Sequence, residues 1–250
     1  MSERLDARDF LIHEDAHVLA FNKPSGLPVQ GGSGVTQSLE TLLSAFAKSN
    51  GKTPRLVHRL DRETSGVIVA ARTRPAAGAL SEAFAQRAAR KLYLAIVCGG
   101  APAPSEGVID LALRKSSRGG LDIMEITQSG GQGARTRYRT LAAAPGAALL
   151  ALEPETGRMH QLRAHLAAIG RPIAGDGKYG GLFAIGAQPI ARLMLHALRL
   201  QLPHPAGGAL DLAAPAPDAF VNAARALGLD FAAAHALAFT LEIRPEEAAP

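Results

Sequence analysis

The residues that could do chemistry in this chain gather around one acid. His58-Arg59-Leu60-Asp61-Arg62 is followed by Glu63-Thr64-Ser65-Gly66 and then by the β-branched run Val67-Ile68-Val69. Arginines at i−2 and i+1 favour the ionised form of Asp61. An ionised, positioned carboxylate can act as nucleophile, base or electrostatic anchor. Taken alone, the same residues also fit an Asp in a surface arginine pair that caps a turn. A second group lies at Thr156-Gly157-Arg158, ahead of a helical pattern, where free backbone N–H groups and a guanidinium would sit together as an anion site. Arg163 follows about one helical turn on, near the face of His160. Tyr93 lies in a strand-like run, where its ring could pack in the core or stack on a base. His196 and His204 lack a third ligand at sensible spacing, and Cys98 is the single cysteine, so no metal site is expected.

These side chains need elements to hold them. Short β-branched runs indicate buried strands, and Gly66 marks a bend before one, so Asp61 is expected on a turn between two strands. Residues 17–24 suggest a strand ending at Pro24, with a turn over Ser25–Pro28 and a flexible loop at Gln30–Gly34. Thr36 is expected to begin a helix with Leu39, Leu42, Leu43 and Phe46 on one apolar stripe. Thr73-Arg74-Pro75 starts another, with Ala76, Leu80, Phe84 and Ala88 buried. Lys115–Gly120 has the composition of a basic hairpin tip. Arg135, Arg137 and Arg139 alternate onto one strand face, where they need solvent or anions. Met159–Ile169 has a helical pattern with Gly170 as its cap. A last helix is expected over Pro217–Leu227, then an apolar run at Phe231–Leu241 and a frayed acidic tail at Pro245–Pro250.

With 250 residues, 47% of them hydrophobic, the chain can bury one large core or two subdomains sharing a sheet. The lone cysteine fits a reducing cytosol, the start has no apolar signal-like stretch, and no run is long enough to span a membrane. A soluble cytoplasmic protein is expected. Residues 51–100 carry nine Lys and Arg against three Asp and Glu, while both ends of the chain are acidic. Such a basic middle suggests a local polyanion site. Arg dominates the cations, which suits phosphate, although a GC-rich genome would enrich Arg as well.

Five stretches together resemble the RluA class of RNA pseudouridine synthases. His58–Asp61 with Thr64–Gly66 is similar to that family's HRLDxxTSG signature. Asn22–Val29 resembles its NKPxGLxV segment, and Lys91, Tyr93, Ala95 and Val97 resemble KxYxAxV. Residues 156–180 are similar to its long TGRxHQ…GDxxYG stretch, and Leu195–Pro205 resembles its closing strand. The resemblance extends over roughly residues 10–217. It implies an α/β (α+β) pseudouridine synthase fold, a mixed, largely antiparallel sheet in two subdomains with a central RNA-binding cleft. The catalytic domain is expected over 10–228, with a C-terminal extension at 229–250 of unknown role.

By the same resemblance Asp61 is the nucleophile, Tyr93 stacks on the target base, and Arg163 pairs with the catalytic aspartate. Arg59, Arg62, Arg158 and His160 are expected at the RNA. Lys23 is expected there too, with a solvated turn lysine as its alternative. The implied reaction isomerises a uridine in tRNA or ribosomal RNA, requires no cofactor and is carried out by a monomer. The first predicted strand opens at His17, and an independent domain needs roughly 50 residues. Affinity is therefore expected from the catalytic domain, for a stem-loop whose uridine unstacks easily. A non-catalytic RNA-binding protein on the same fold would not need an acid in a basic setting. A hydrolase using Asp61 on another polyanion would not explain Tyr93.

Overall fold

The computed structural model describes residues 5–32 and 35–242. The chain forms two compact units. The first runs to Lys91 and takes in Ala197–Ala216; the second is Leu92–His196 with the residues from Pro217 onward. In chain order, the elements up to the first crossing are β1 (Leu11–Glu14), β2 (Val18–Lys23), α1 (Leu39–Leu42), β3 (Arg55–Leu56), β4 (Ser65–Ala71) and α2 (Arg74–Ala85). Then come β5 (Arg90–Cys98), β6 (Glu106–Asp110), β7 (Leu113–Arg118), β8 (Leu121–Ile126), β9 (Arg135–Ala144) and β10 (Ala147–Pro154). Helix α3 (Gln161–Ala168), β11 (Ala184–Ile185) and β12 (Gln188–Pro189) follow. The chain ends with β13 (Leu195–Pro203), β14 (Ala209–Ala213), α4 (Asp218–Ala226) and α5 (Phe231–Thr240).

In the first unit, β2 pairs antiparallel with β1 and β4, β3 pairs with the far end of β4, and β14 pairs with β13. Strand β4 is SGVIVAA and wholly buried, the pattern of a strand covered on both faces. Val67, Val69 and Ala71 share a core with Val18, Ala20, Leu80, Leu200 and Leu212. Helix α2 starts as expected, with Thr73 Oγ1 accepting the Ala76 N–H and Pro75 just inside the first turn. Its buried face is Ala76, Leu80 and Ala83; Ala88 falls beyond its end and is exposed. The predicted helix from Thr36 is shorter. Ser38 and Thr41 form a capping box, α1 lasts one turn, and Leu43–Phe46 continue as a 3-10 turn that still buries Leu39, Leu43 and Phe46.

In the second unit the strand order is β5-β10-β9-β6, every neighbour antiparallel, and β7-β8 form a separate hairpin. The predicted basic hairpin tip is narrower. Lys115 and Arg118 lie on β7, and only Gly119-Gly120 make the turn. Across the hairpin, Lys115 pairs with Asp122 at 2.9 Å and Arg118 with Glu125 at 3.9 Å. The arginine stripe on β9 is likewise met by the protein's own carboxylates. Arg135 and Arg137 reach Glu155, and Arg139 pairs with Glu106 at 2.7 Å. The apolar run after Leu229 is α5, which packs on β9 and β10. The expected acidic tail at 245–250 lies outside the described residues. No helix among the described residues is long and apolar enough to cross a membrane.

Candidate active site

Asp61 opens a tight turn between β3 and β4, closed by the Thr64 N–H on the Asp61 carbonyl at 3.1 Å. This is the position expected from the sequence. Asp61 is half-buried, while Arg59 and Arg62 are exposed. What holds the turn is the chain at 23–26. The Gly26 N–H donates to the Arg62 carbonyl at 2.9 Å, and Arg62 Nε returns a bond to the Gly26 carbonyl at 3.0 Å. Ser25 Oγ donates to the Glu63 carbonyl at 2.6 Å. Gly66, with φ +116°, begins β4 so close to Ala197 that a Cβ would stand 2.1 Å from that carbonyl oxygen. Only glycine lets the strand start there.

Lys23, expected at the RNA or as a solvated turn lysine, is held by the protein's own backbone. It is fully buried, and its ammonium donates to the carbonyls of Pro24, Leu27 and Arg62 at 2.9, 2.9 and 3.0 Å. A cation placed there gathers three carbonyls of two turns onto one point and so fixes the turn after Asp61. Lys23→Met leaves those carbonyls unpaired and is expected to lower unfolding stability by about 3 kcal/mol. The salt dependence of RNA binding should stay unchanged, because no phosphate contact is lost. Urea unfolding and binding titrations at several salt concentrations measure both. A variant that keeps its stability and loses salt slope would return Lys23 to the RNA.

His58 anchors the other side of the same segment. Its Nε2 accepts the Val69 N–H at 3.0 Å, and its ring stacks on Phe84 with centroids 4.4 Å apart. Burial, reinforced by the charge of Lys91, pushes its pKa down to about 3 from 6.5. The folded state therefore holds the neutral ring. This contribution to stability is complete above about pH 6.5 and declines as pH falls towards 3. His58 as a residue is half-buried, so the loss between pH 8 and pH 4.5 is expected to be about 1–2 kcal/mol. His58→Gln keeps an acceptor but cannot take up a proton, and should flatten this part of the profile in urea unfolding. An unchanged profile would remove His58 as its source.

The second unit carries the other predicted residues. Tyr93 lies on β5 opposite Leu152 and is half-buried, while Leu92 and Leu94 on either side are completely buried. Its ring therefore belongs to the less buried face of the strand. Helix α3 begins two residues later than the apolar pattern suggests, because His160 takes a left-handed conformation (φ 50°) and ends the preceding loop. Of the backbone donors ahead of α3, the Arg158 N–H is taken within the protein. Gln161 Oε1 accepts the Arg158 N–H at 3.0 Å and Thr156 Oγ1 at 2.7 Å, and Gln161 Nε2 donates to Thr136 Oγ1 and the Arg135 carbonyl. His165, fully buried, joins the network at Thr136 Oγ1 and the Leu111 carbonyl, and burial lowers its pKa. Arg158 is tied by Nε to the Gly133 carbonyl at 3.2 Å.

Arg163 is buried and grips Asp176 with two bonds, Nε to Oδ2 at 2.8 Å and Nη2 to Oδ1 at 2.7 Å. Its guanidinium lies 5.1 Å from the centroid of the Tyr179 ring. The Tyr179 hydroxyl takes the Met124 N–H at 2.7 Å and bonds His160 Nδ1 at 3.0 Å. Asp176 and Tyr179 therefore position Arg163 and His160. The signal for this was thin: an acid in Ala-Gly-Asp-Gly, thirteen residues after Arg163 and with no helical spacing to it. Among the described residues no group of His, Cys, Asp and Glu side chains is placed to hold a metal.

Residues 17–168 match the family model described as RNA pseudouridylate synthase. The chain belongs to that family. It is 37% identical over 218 residues to the mitochondrial pseudouridylate synthase RPUSD4 of Xenopus tropicalis, covering 77% of this chain and 67% of the relative. An uncharacterized RNA pseudouridine synthase of Zymomonas mobilis is 39% identical over 209 residues, covering 83% of this chain and 94% of that one. The ribosomal large subunit pseudouridine synthase C of Escherichia coli K12 is 36% identical, and the match spans 80% of this chain and 64% of that protein. Among solved structures, human RNA pseudouridylate synthase domain containing 4 superposes with a TM-score of 0.77 at 31% identity, covering 90% of this chain and 95% of that chain. The α+β fold, with its mixed and mainly antiparallel sheet, is thus the pseudouridine synthase fold.

Proposed function

We propose that this protein isomerises a specific uridine in a structured RNA to pseudouridine, with Asp61 as the nucleophile. The observation that carries the proposal is the Asp61 turn itself. A half-buried carboxylate between two exposed arginines is held by the backbone clasp from 23–26, in a chain of the RNA pseudouridylate synthase family. Attack by Asp61 accompanies cleavage of the glycosidic bond to the ring nitrogen; the uracil turns and is rejoined to the sugar through carbon 5. As carbon 5 bonds to the sugar the Asp61 carboxylate is released, carbon 5 gives its proton to water and the freed ring nitrogen takes one up. The composition is unchanged and no electrons are exchanged, so the reaction calls for no cofactor. The uridine must leave its stack to be reached.

In this reading Tyr93 offers its ring to the extruded base, and Arg163 acts with the aspartate. Arg59, Arg62, Arg158 and His160 meet the RNA. The Escherichia coli relative is named for the large ribosomal subunit, which favours ribosomal RNA over tRNA as the substrate. The proposal further takes the protein to act as a monomer in the cytoplasm. The test uses purified protein and RNA labelled with tritium at carbon 5 of uracil, taken from cells lacking the protein. Turnover should release tritium, because carbon 5 gives up its hydrogen when it bonds to the sugar. RNA that is bound without release would favour a non-catalytic binding protein.

A further inference from the structure

We propose that the first unit carries a second RNA-binding site, a groove that grips phosphodiester backbone well away from the reacting nucleotide. The inference rests on the RNA reading above and adds a place of contact that the motif residues do not include. The groove has a volume of about 620 Å³ and is lined by the 48–53 loop, Arg55 at the start of β3, and Arg72–Pro75 between β4 and α2. Five cations face it: Lys48, Lys52, Arg55, Arg72 and Arg74. No Asp or Glu is among its lining residues.

The state of these cations differs from that of the cations on β9 and on the β7–β8 hairpin. The β9 arginines, Lys115 and Arg118 of the β7 hairpin, Arg163 and Arg199 are paired with carboxylates of the protein. In the groove only Arg72 is so engaged, through Glu14. Among the described residues Lys48, Lys52, Arg55 and Arg74 make no ion pair, and all four are exposed. Like charges drawn into one concavity repel each other, and a polyanion relieves that repulsion. The walls are also ordered: the Lys48 N–H bonds the Lys52 carbonyl, the Gly51 N–H bonds the Lys48 carbonyl, and Arg55 is held in register opposite Ala71. The opening of α2 adds the positive end of a helix dipole, and Asn50, Thr53 and Thr73 add neutral polar groups.

Position gives the site its meaning. Strand β4 leads from the Asp61 turn at Ser65 to the groove at Ala71. Six residue steps of an extended strand span about 20 Å, beyond the reach of the nucleotide being turned over. The groove would thus take the backbone of a flanking stem.

The test uses the full-length protein and two labelled hairpins with the same uridine-containing loop, one with a stem of about four base pairs and one of about twelve. Phosphate contacts are sequence-independent, so the natural target need not be known. The variant replaces Lys48, Lys52, Arg55 and Arg74 with Gln, all exposed positions outside the catalytic turn. The wild type should bind the long hairpin more tightly, with a steep salt dependence. In the variant the long hairpin should lose roughly ten- to hundredfold in affinity, and its salt slope should fall by about three. The short hairpin should be bound as before. A variant that keeps the wild-type slope on the long hairpin, or that weakens equally on both, overturns the groove while leaving RNA recognition in place. A wild type that binds neither hairpin overturns the RNA reading itself, and the groove with it.

Discussion

Asp61→Asn is expected to reduce isomerisation by more than about a thousandfold while RNA binding survives. The substitution keeps the size of the side chain and removes the group that attacks. The clasp around the turn uses the backbone of Asp61, Arg62 and Glu63 and the side chains of Lys23, Ser25 and Arg62, so none of its bonds is lost. Removing a negative charge from among arginines also takes away a repulsion felt by phosphate, so affinity should hold or rise. Tritium release and a filter-binding titration on the same preparation read the two effects. Turnover within tenfold of wild type would end the assignment of Asp61 as nucleophile.

The second large effect is at Arg163. The sequence alone suggests that Arg163→Ala leaves the fold intact, because the residue is expected to serve the aspartate of the site. The bidentate bond to buried Asp176 changes that expectation. Truncation strands a buried carboxylate, and stability should fall by about 3–5 kcal/mol together with activity. Arg163→Lys separates the two roles. Lysine keeps a charge for Asp176 but lacks the planar fork that makes two parallel bonds. If Arg163 acts only through the fold, the lysine variant should recover rate in proportion to its melting temperature. The proposed role in the reaction instead predicts a folded Arg163→Lys protein whose kcat stays at least about a hundredfold down.

Much of the site was legible because its signals are local. The turn that carries Asp61, before a β-branched strand, and the strand that carries Tyr93, by its length and composition, need only local pattern. The buried face of α2 up to Leu80 likewise follows from a four-residue period. What stayed hidden depends on bonds between segments far apart in sequence. Lys23 looks like a turn lysine until the carbonyls of Leu27 and Arg62 are seen around it. The Arg158 N–H ahead of α3 looks free until Gln161 folds back on it. The arginines of β9 look as though they need solvent or anions until Glu155 and Glu106 are found beside them. The unpaired groove cations, by contrast, come from two segments about twenty residues apart and carry no motif.

The central claim, that this chain makes pseudouridine through Asp61, is tested most directly by mapping pseudouridine in cellular RNA after chemical derivatisation and mass analysis. Three strains are compared: one lacking the protein, one complemented with wild type, and one complemented with Asp61→Asn at equal protein level. The account predicts that one or more pseudouridines disappear in the first strain, return in the second and stay absent in the third. Identical maps in all three strains, or full restoration by Asp61→Asn, would contradict it.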